Sequence, residues 1–161
     1  MLTAGGAGGQ ARISFRDSAS GQERRALVDV YTATEVIAGF TAADGWESKG
    51  ASLTVAEGVG RITTPGQFAA VRKWVEVDFD RGPVLEASVR SVEGAWAMKV
   101  NDGTLPIDIS LQGDTSITGR RAYDLLTLTG WQGVRRVEVI VFAIGDGKSV
   151  FMDDLRLHYR R

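Results

Sequence analysis

The sequence predicts an all-β chain folded as a two-sheet antiparallel β-sandwich. Apolar and polar residues alternate in short runs, the period of half-buried strands. Glycine is abundant (20 residues) and proline scarce (3), and many glycines fall between the apolar runs, where a meandering β-protein turns. No segment shows convincing long-helix periodicity. With 161 residues the chain is long enough for one domain with a substantial core.

Residues 1–9 read as a disordered Gly-rich leader. Residues 10–34 read as an N-terminal hairpin or linker extension, with strands at 11–16 and 26–31 around Asp17-Ser18-Ala19-Ser20-Gly21-Gln22. The sandwich domain then spans 35–161. A short strand at 35–40 leads through a turn at Asp44-Gly45 to Trp46. Strands at 51–56 and 60–64 flank Glu57-Gly58. The longest strand, 67–79, sets Val71, Val75, Val77 and Phe79 against Arg72, Trp74, Glu76 and Asp78. Strands at 84–92 and 96–100 follow, separated by Glu93-Gly94. Asn101-Asp102-Gly103 is a turn signal, after which Ile107, Ile109 and Leu111 alternate with Asp108, Ser110 and Gln112. Residues 113–122 form a polar loop, and one helical turn is expected near Tyr123-Asp124-Leu125. The last two strands, 134–143 and 149–159, join across Gly145-Asp146-Gly147. Roughly eight to ten strands at this spacing suit a sandwich.

Composition excludes several classes. Net charge is −1 with both signs interspersed, so no basic stripe marks a nucleic-acid binder. No apolar run approaches the ~20 residues of a membrane span. There is no cysteine, hence no disulfide, thiolate metal site or cysteine nucleophile. No signal peptide is visible, and the compartment is left open. His158, the single histidine, is expected at the surface near the chain end, so a Ser-His-Asp site has little support.

The C-terminal run Val150-Phe151-Met152-Asp153-Asp154-Leu155-Arg156-Leu157 interrupts its alternation with two adjacent carboxylates. Strict alternation puts Phe151, Asp153, Leu155 and Leu157 on one face. An aspartate in line with core residues needs a positive partner, either an Arg or Lys side chain or a bound metal.

The order of signals now carries a resemblance. A strand ends in Phe40 and a turn leads to Trp46. Later come Tyr123-Asp124-Leu125, Gly130-Trp131, the Gly145-Asp146-Gly147 hairpin and the closing Val-Phe-Met-Asp-Asp-Leu-Arg-Leu strand. Over about residues 35–159 this resembles the galactose-binding-like β-jelly-roll superfamily, which includes many carbohydrate-binding modules of glycoside hydrolases and polysaccharide lyases. The resemblance implies a jelly roll whose first and last strands are neighbours, with a structural calcium often held there. By position it implies Asp153 as the first ligand and Asp154 as the second choice, with Glu35 and Asp44 contributing. Calcium takes several hard oxygens in a flexible shell. The chain departs from the pattern in having no dense acidic cluster at its start, so Asp153 paired with Arg or backbone N–H is the competing expectation.

A sugar platform needs flat aromatics with planar polar neighbours. Trp96 shares its face with Met98 and Val100 and belongs to the core, whereas Trp46 and Trp131 follow turns. Trp74 lies on a polar face. Extended across strands, that face joins Arg72, Trp74 and Glu76 to Glu86, Ser88 and Arg90, then Lys99, Asp108, Ser110 and Gln112. Trp74, Arg72, Arg90, Lys99, Asp108 and Gln112 are therefore the candidate ligand-binding residues; an ordinary solvated sheet face is the plainer account. The loops at 44–50 and 113–122 are the other candidate site. The leading expectation is a non-catalytic carbohydrate-binding module, accessory to a glycoside hydrolase or lyase catalytic domain, with a polysaccharide or oligosaccharide as partner. A structural module that packs on a catalytic domain or oligomerises is the second, and a carboxylate-based glycan-processing enzyme the third.

Overall fold

The computed structural model describes residues 9–16, 19–43, 45–66, 69–104, 106–109 and 117–161. Two antiparallel sheets stack face to face. One has the order β10-β9-β12-β7-β4, from β10 (Ile107–Asp108), β9 (Ala95–Asn101), β12 (Val134–Ile144), β7 (Ala70–Asp78) and β4 (Glu47–Lys49). The other has the order β11-β8-β13-β6-β5, from β11 (Gly119–Asp124), β8 (Pro83–Val92), β13 (Lys148–Tyr159), β6 (Val59–Thr64) and β5 (Ser52–Ala56). The opening strand of the sandwich, β3 (Ala33–Ala38), pairs with the closing strand β13. The fold is the two-sheet sandwich that the alternation implies, with the jelly-roll pairing of first and last strands that the resemblance implies.

Between the sheets lies one core. Trp96, Met98 and Val100 of β9, Val137, Val139 and Val141 of β12, and Leu85, Ala87 and Val89 of β8 all point inward and are buried. Trp131 meets Phe79 edge to face, with ring centroids 5.5 Å apart, and Trp46 stacks on Phe40 at 6.1 Å. Both tryptophans pack against the core and remain half-buried, closing parts of its boundary. The expected helical turn is α1 (Leu125–Thr129). Asp124 caps it by accepting from the Thr127 N–H at 3.0 Å.

Two local features redirect side chains that alternation alone misplaces. First, β7 and β8 do not pair. Asp78 caps a 3-10 turn at Phe79–Arg81, and Gly82 takes φ 63° behind it. The buried ring of Phe79 anchors this turn in the core, and the chain crosses from one sheet to the other there. The continuous polar face expected to run from Arg72 to Arg90 is thus split between the two outer faces of the sandwich. Second, a β-bulge interrupts β13 between Met152 and Asp154. It lets Val150, Met152, Leu155, Leu157 and Tyr159 all reach the core and turns both carboxylates outward. Strict alternation had put Asp153 with Leu155 and Leu157; the extra residue of the bulge removes it from that face.

β1 (Gly9–Arg16) and β2 (Glu23–Val30) form a separate two-stranded sheet, in register from Gly9↔Val30 to Arg16↔Glu23. The chain then docks on β13. Thr32 donates through its N–H (2.7 Å) and its hydroxyl (3.1 Å) to the Tyr159 carbonyl, and Tyr31 stacks on His158 at 4.2 Å. His158 is 6% exposed, which corrects the expected surface histidine: the segment 31–34 covers it.

Candidate glycan-binding face

The pairing registers lay out the outer face of the five-stranded sheet in rows. Trp74 of β7 and Asn101 of β9 both oppose Glu138 of β12. One row on, Arg72 and Lys99 both oppose Ile140, with Glu47 of β4 beyond Arg72 and Asp108 of β10 beyond Lys99. In the next row Phe142 opposes Ala97, and the register brings Ala70 to its other side. Directly opposed residues share a face. Four residues that the sequence nominated, Trp74, Arg72, Lys99 and Asp108, are therefore gathered here. Arg90 is not among them: it lies on β8 in the other sheet and pairs with Asp153 at 2.6 Å. Gln112 lies outside the described residues.

Two aromatic rings stand on this face. Trp74 is half-buried with the Arg136 guanidinium 5.0 Å from its centroid. Phe142 is half-buried with the Lys99 ammonium 5.8 Å from its centroid. Four residues of strand separate Phe142 from the row of Trp74, roughly 13 Å at strand rise. Small neighbours, Ala70 and Ala97, leave the Phe142 ring uncrowded. A groove of about 630 Å³ opens there, with Ile140, Phe142 and Ala70 as floor, Lys49 and Lys99 flanking, and the Gly145-Asp146 hairpin turn at its end.

Glu138 is the residue that sequence inspection missed. Alternation with Val137 and Val139 sends Glu138 to the outer side of β12, yet its carboxylate is only 1% exposed. It accepts from Arg72 Nη1 at 2.8 Å and Asn101 Nδ2 at 3.0 Å, and pairs with Lys49 Nζ at 3.1 Å. Burial pushes its pKa up, but the hydrogen bonds from Arg72, Lys49 and Asn101 outweigh burial and hold it below the usual carboxylate range. Phe142 was equally hidden, because Ile-Val-Phe-Ala reads as one apolar run whose outward members emerge only with the register.

The loop rim beside Trp46 holds a second hollow of about 480 Å³, bordered by Ser48, Ser52 and Leu53.

The described residues do not fit a calcium shared by Asp153, Asp154 and Glu35. Asp153 pairs with Arg90, and one oxygen of Asp154 accepts from Arg156 Nε at 3.0 Å and Nη2 at 2.8 Å. The other Asp154 oxygen is buried without a hydrogen bond. Glu35 does not reach toward it. It opposes Leu157, a core-facing residue, whereas Asp154 opposes Ser88 on the outer side. Among the described residues no three of His, Asp and Glu gather as metal ligands. Asp44 lies outside the described residues. No helix of the described residues is long and apolar enough to cross a membrane.

This architecture is a β-jelly roll, and solved structures of carbohydrate-binding modules share its fold. A family 29 carbohydrate-binding-module variant has a TM-score of 0.57 at 17% identity, covering 78% of this chain and 90% of its own. A low-affinity xylan-binding module, CBM86 from Roseburia intestinalis, has a TM-score of 0.56 at 12% identity, covering 80% and 96%. A family 29 variant complexed with cellulohexaose has a TM-score of 0.53 at 17% identity, covering 78% and 89%. At these identities the likeness is one of fold. No protein-family model matches the chain, and no curated protein matches it in sequence.

Proposed function

We propose that this chain is a non-catalytic carbohydrate-binding module whose ligand lies along the outer face of the five-stranded sheet. The observation that carries this reading is the groove floored by Phe142 and Ile140 between Lys49 and Lys99, with Trp74 on the same face. A flat apolar ring meets the C–H face of a sugar, while flanking ammonium and guanidinium groups donate to hydroxyls. The spacing of the two rings suits several sugars of a chain better than one monosaccharide. Solved modules of the same fold, described as binding xylan or holding cellulohexaose, support the reading. As such a module it serves as an accessory domain to a glycoside hydrolase or lyase catalytic domain, and the separate β1–β2 sheet, which carries exposed Leu27 and Val28, suits a contact with that neighbour.

Affinity electrophoresis against soluble β-glucans, mannans and xylans tests the assignment. Phe142→Ala and Trp74→Ala are each expected to weaken binding about tenfold, near 1.4 kcal/mol, while the protein stays folded. Retention unchanged in both variants, or no retention of the natural chain by any polymer, removes the assignment.

A further inference from the structure

Lys49 and Lys99 line the groove, Arg72 opposes Ile140 of its floor, and each of these cations is held by a carboxylate. Lys49 pairs with Glu138 at 3.1 Å. Arg72 bridges Glu138 and Glu47, 2.8 Å from each. Lys99 pairs with Asp108 at 3.1 Å. These pairs differ in kind. Asp108 is 65% exposed and Glu138 1%. A carboxylate on the outer side of a sheet ordinarily points into water. Glu138 instead lies beneath Arg72 and Lys49, with Asn101 completing its hydrogen bonds. Three donors offset the desolvation of its charge, and removing them would leave a buried anion.

Together with Glu47, Glu138 matches the two positive charges of Lys49 and Arg72 and fixes the groups that carry them. An ammonium has three donors, so Lys49 keeps N–H groups for an uncharged acceptor after pairing with Glu138. A carboxylated sugar gains far less there. It meets cations already matched, and it brings its own charge toward Glu138, Glu47 and Asp108.

The geometry points to Glu138 as the specificity-determining residue of this face: by holding Lys49 and Arg72 paired and in place, it sets the groove for uncharged glycan chains and against carboxylated ones. The inference rests on the glycan-binding reading above. Glu138 acts through its neighbours, as a positioning residue.

Polymers that share a backbone but differ in charge provide the test: hydroxyethyl cellulose against carboxymethyl cellulose, and arabinoxylan against glucuronoxylan. Retention is measured in affinity gels for the natural chain, Glu138→Gln, and Glu57→Gln, a control that removes an exposed charge at the β5–β6 turn. The natural chain is expected to prefer the neutral member of whichever pair it binds. Glu138→Gln is expected to shift the acidic-to-neutral ratio about fivefold toward the acidic member, and added salt to abolish that gain. The control leaves the ratio unchanged. If Glu138→Gln does not fold, Asp108→Asn, at an exposed site, frees Lys99 and is expected to shift the ratio in the same direction by a smaller factor. A natural chain that prefers the acidic members overturns the inference while leaving the glycan-binding reading intact. So does a Glu138→Gln protein that melts lower with an unchanged ratio, or a control that shifts the ratio equally. No retention on either pair or on mannan removes the reading and the inference together.

Discussion

Phe40 adopts φ 45°, a left-handed conformation uncommon outside glycine, and its ring is 1% exposed. Gly60 of β6 lies directly beneath. A Cβ built on Gly60 would fall on the Phe40 ring, with Cγ only 2.7 Å away. The strained backbone of one residue and the missing side chain of the other form one packing unit, against which Trp46 then stacks. Gly60→Ala should therefore cost about 1–3 kcal/mol, the range of an overpacked core. Gly58→Ala strains only its own backbone: its φ is 73°, and a Cβ added there meets nothing within 4 Å. Urea unfolding of both variants should show the larger loss at Gly60. At the same scale, Glu138 is a fixed anion paired with Lys49, which flanks the groove. Its carboxylate titrates below the usual range in the folded protein, so its contribution is present above the unfolded pKa of about 4.3 and is lost as pH falls through the lower folded value.

Among the elements, β13 does most to join the molecule. It pairs with β8, β6 and β3 and carries the bulge. It also carries His158, covered by Tyr31 and bonded through Nδ1 to the Thr34 hydroxyl at 2.8 Å. Burial is the first cause lowering the His158 pKa. Glu86, 3.8 Å from Nε2, opposes burial, while Arg156 and Arg120 reinforce it. The unfolded chain therefore binds this proton more readily than the folded one. The stability that follows from neutral His158 is present above its unfolded pKa of about 6.5 and is lost as pH falls through the lower folded value. Thermal melts from pH 7.5 to pH 5 should fall in Tm, and His158→Gln should flatten that slope. An equal slope in both proteins would assign the acid sensitivity to the carboxylates.

For the whole molecule, the β1–β2 sheet hydrogen-bonds within itself and shares no strand with the sandwich. Among the described residues, the chain attaches to the sandwich through Tyr31 and Thr32 on β13 and through an Asp29–Arg160 ion pair at 3.9 Å. Removing residues 1–30 should leave a cooperative melt close to that of the full chain; loss of cooperativity would make the hairpin part of the core unit. The pairing of Asp153 with Arg90 and Asp154 with Arg156 leads to a second expectation at this scale. Calcium added after chelation should leave Tm unchanged, because a ligand raises Tm only by binding the native state. A calcium-dependent rise that Asp153→Asn abolishes would reverse that expectation.

The sequence by itself determined the all-β class, most strand positions and the inward residues, because period-two alternation and glycine punctuation are local signals. Val71 and Val77 are buried, and Trp96 and Met98 are core, as their spacing requires. The Glu57-Gly58 turn is equally local, with positive φ at both residues. That Trp74, Arg72, Lys99 and Asp108 point to the outer side of their strands was legible for the same reason. Only the tertiary structure decided which strands are neighbours. Pairing between distant strands depends on how the chain crosses the sandwich, and no local period records it. That is why Arg90 left the face, and why Glu138 and Phe142, each embedded in an apolar run, entered it. The bulge in β13 is of the same kind: one extra residue reverses the facing of Asp153 with no change in composition, and only the partner strand β8 reveals it.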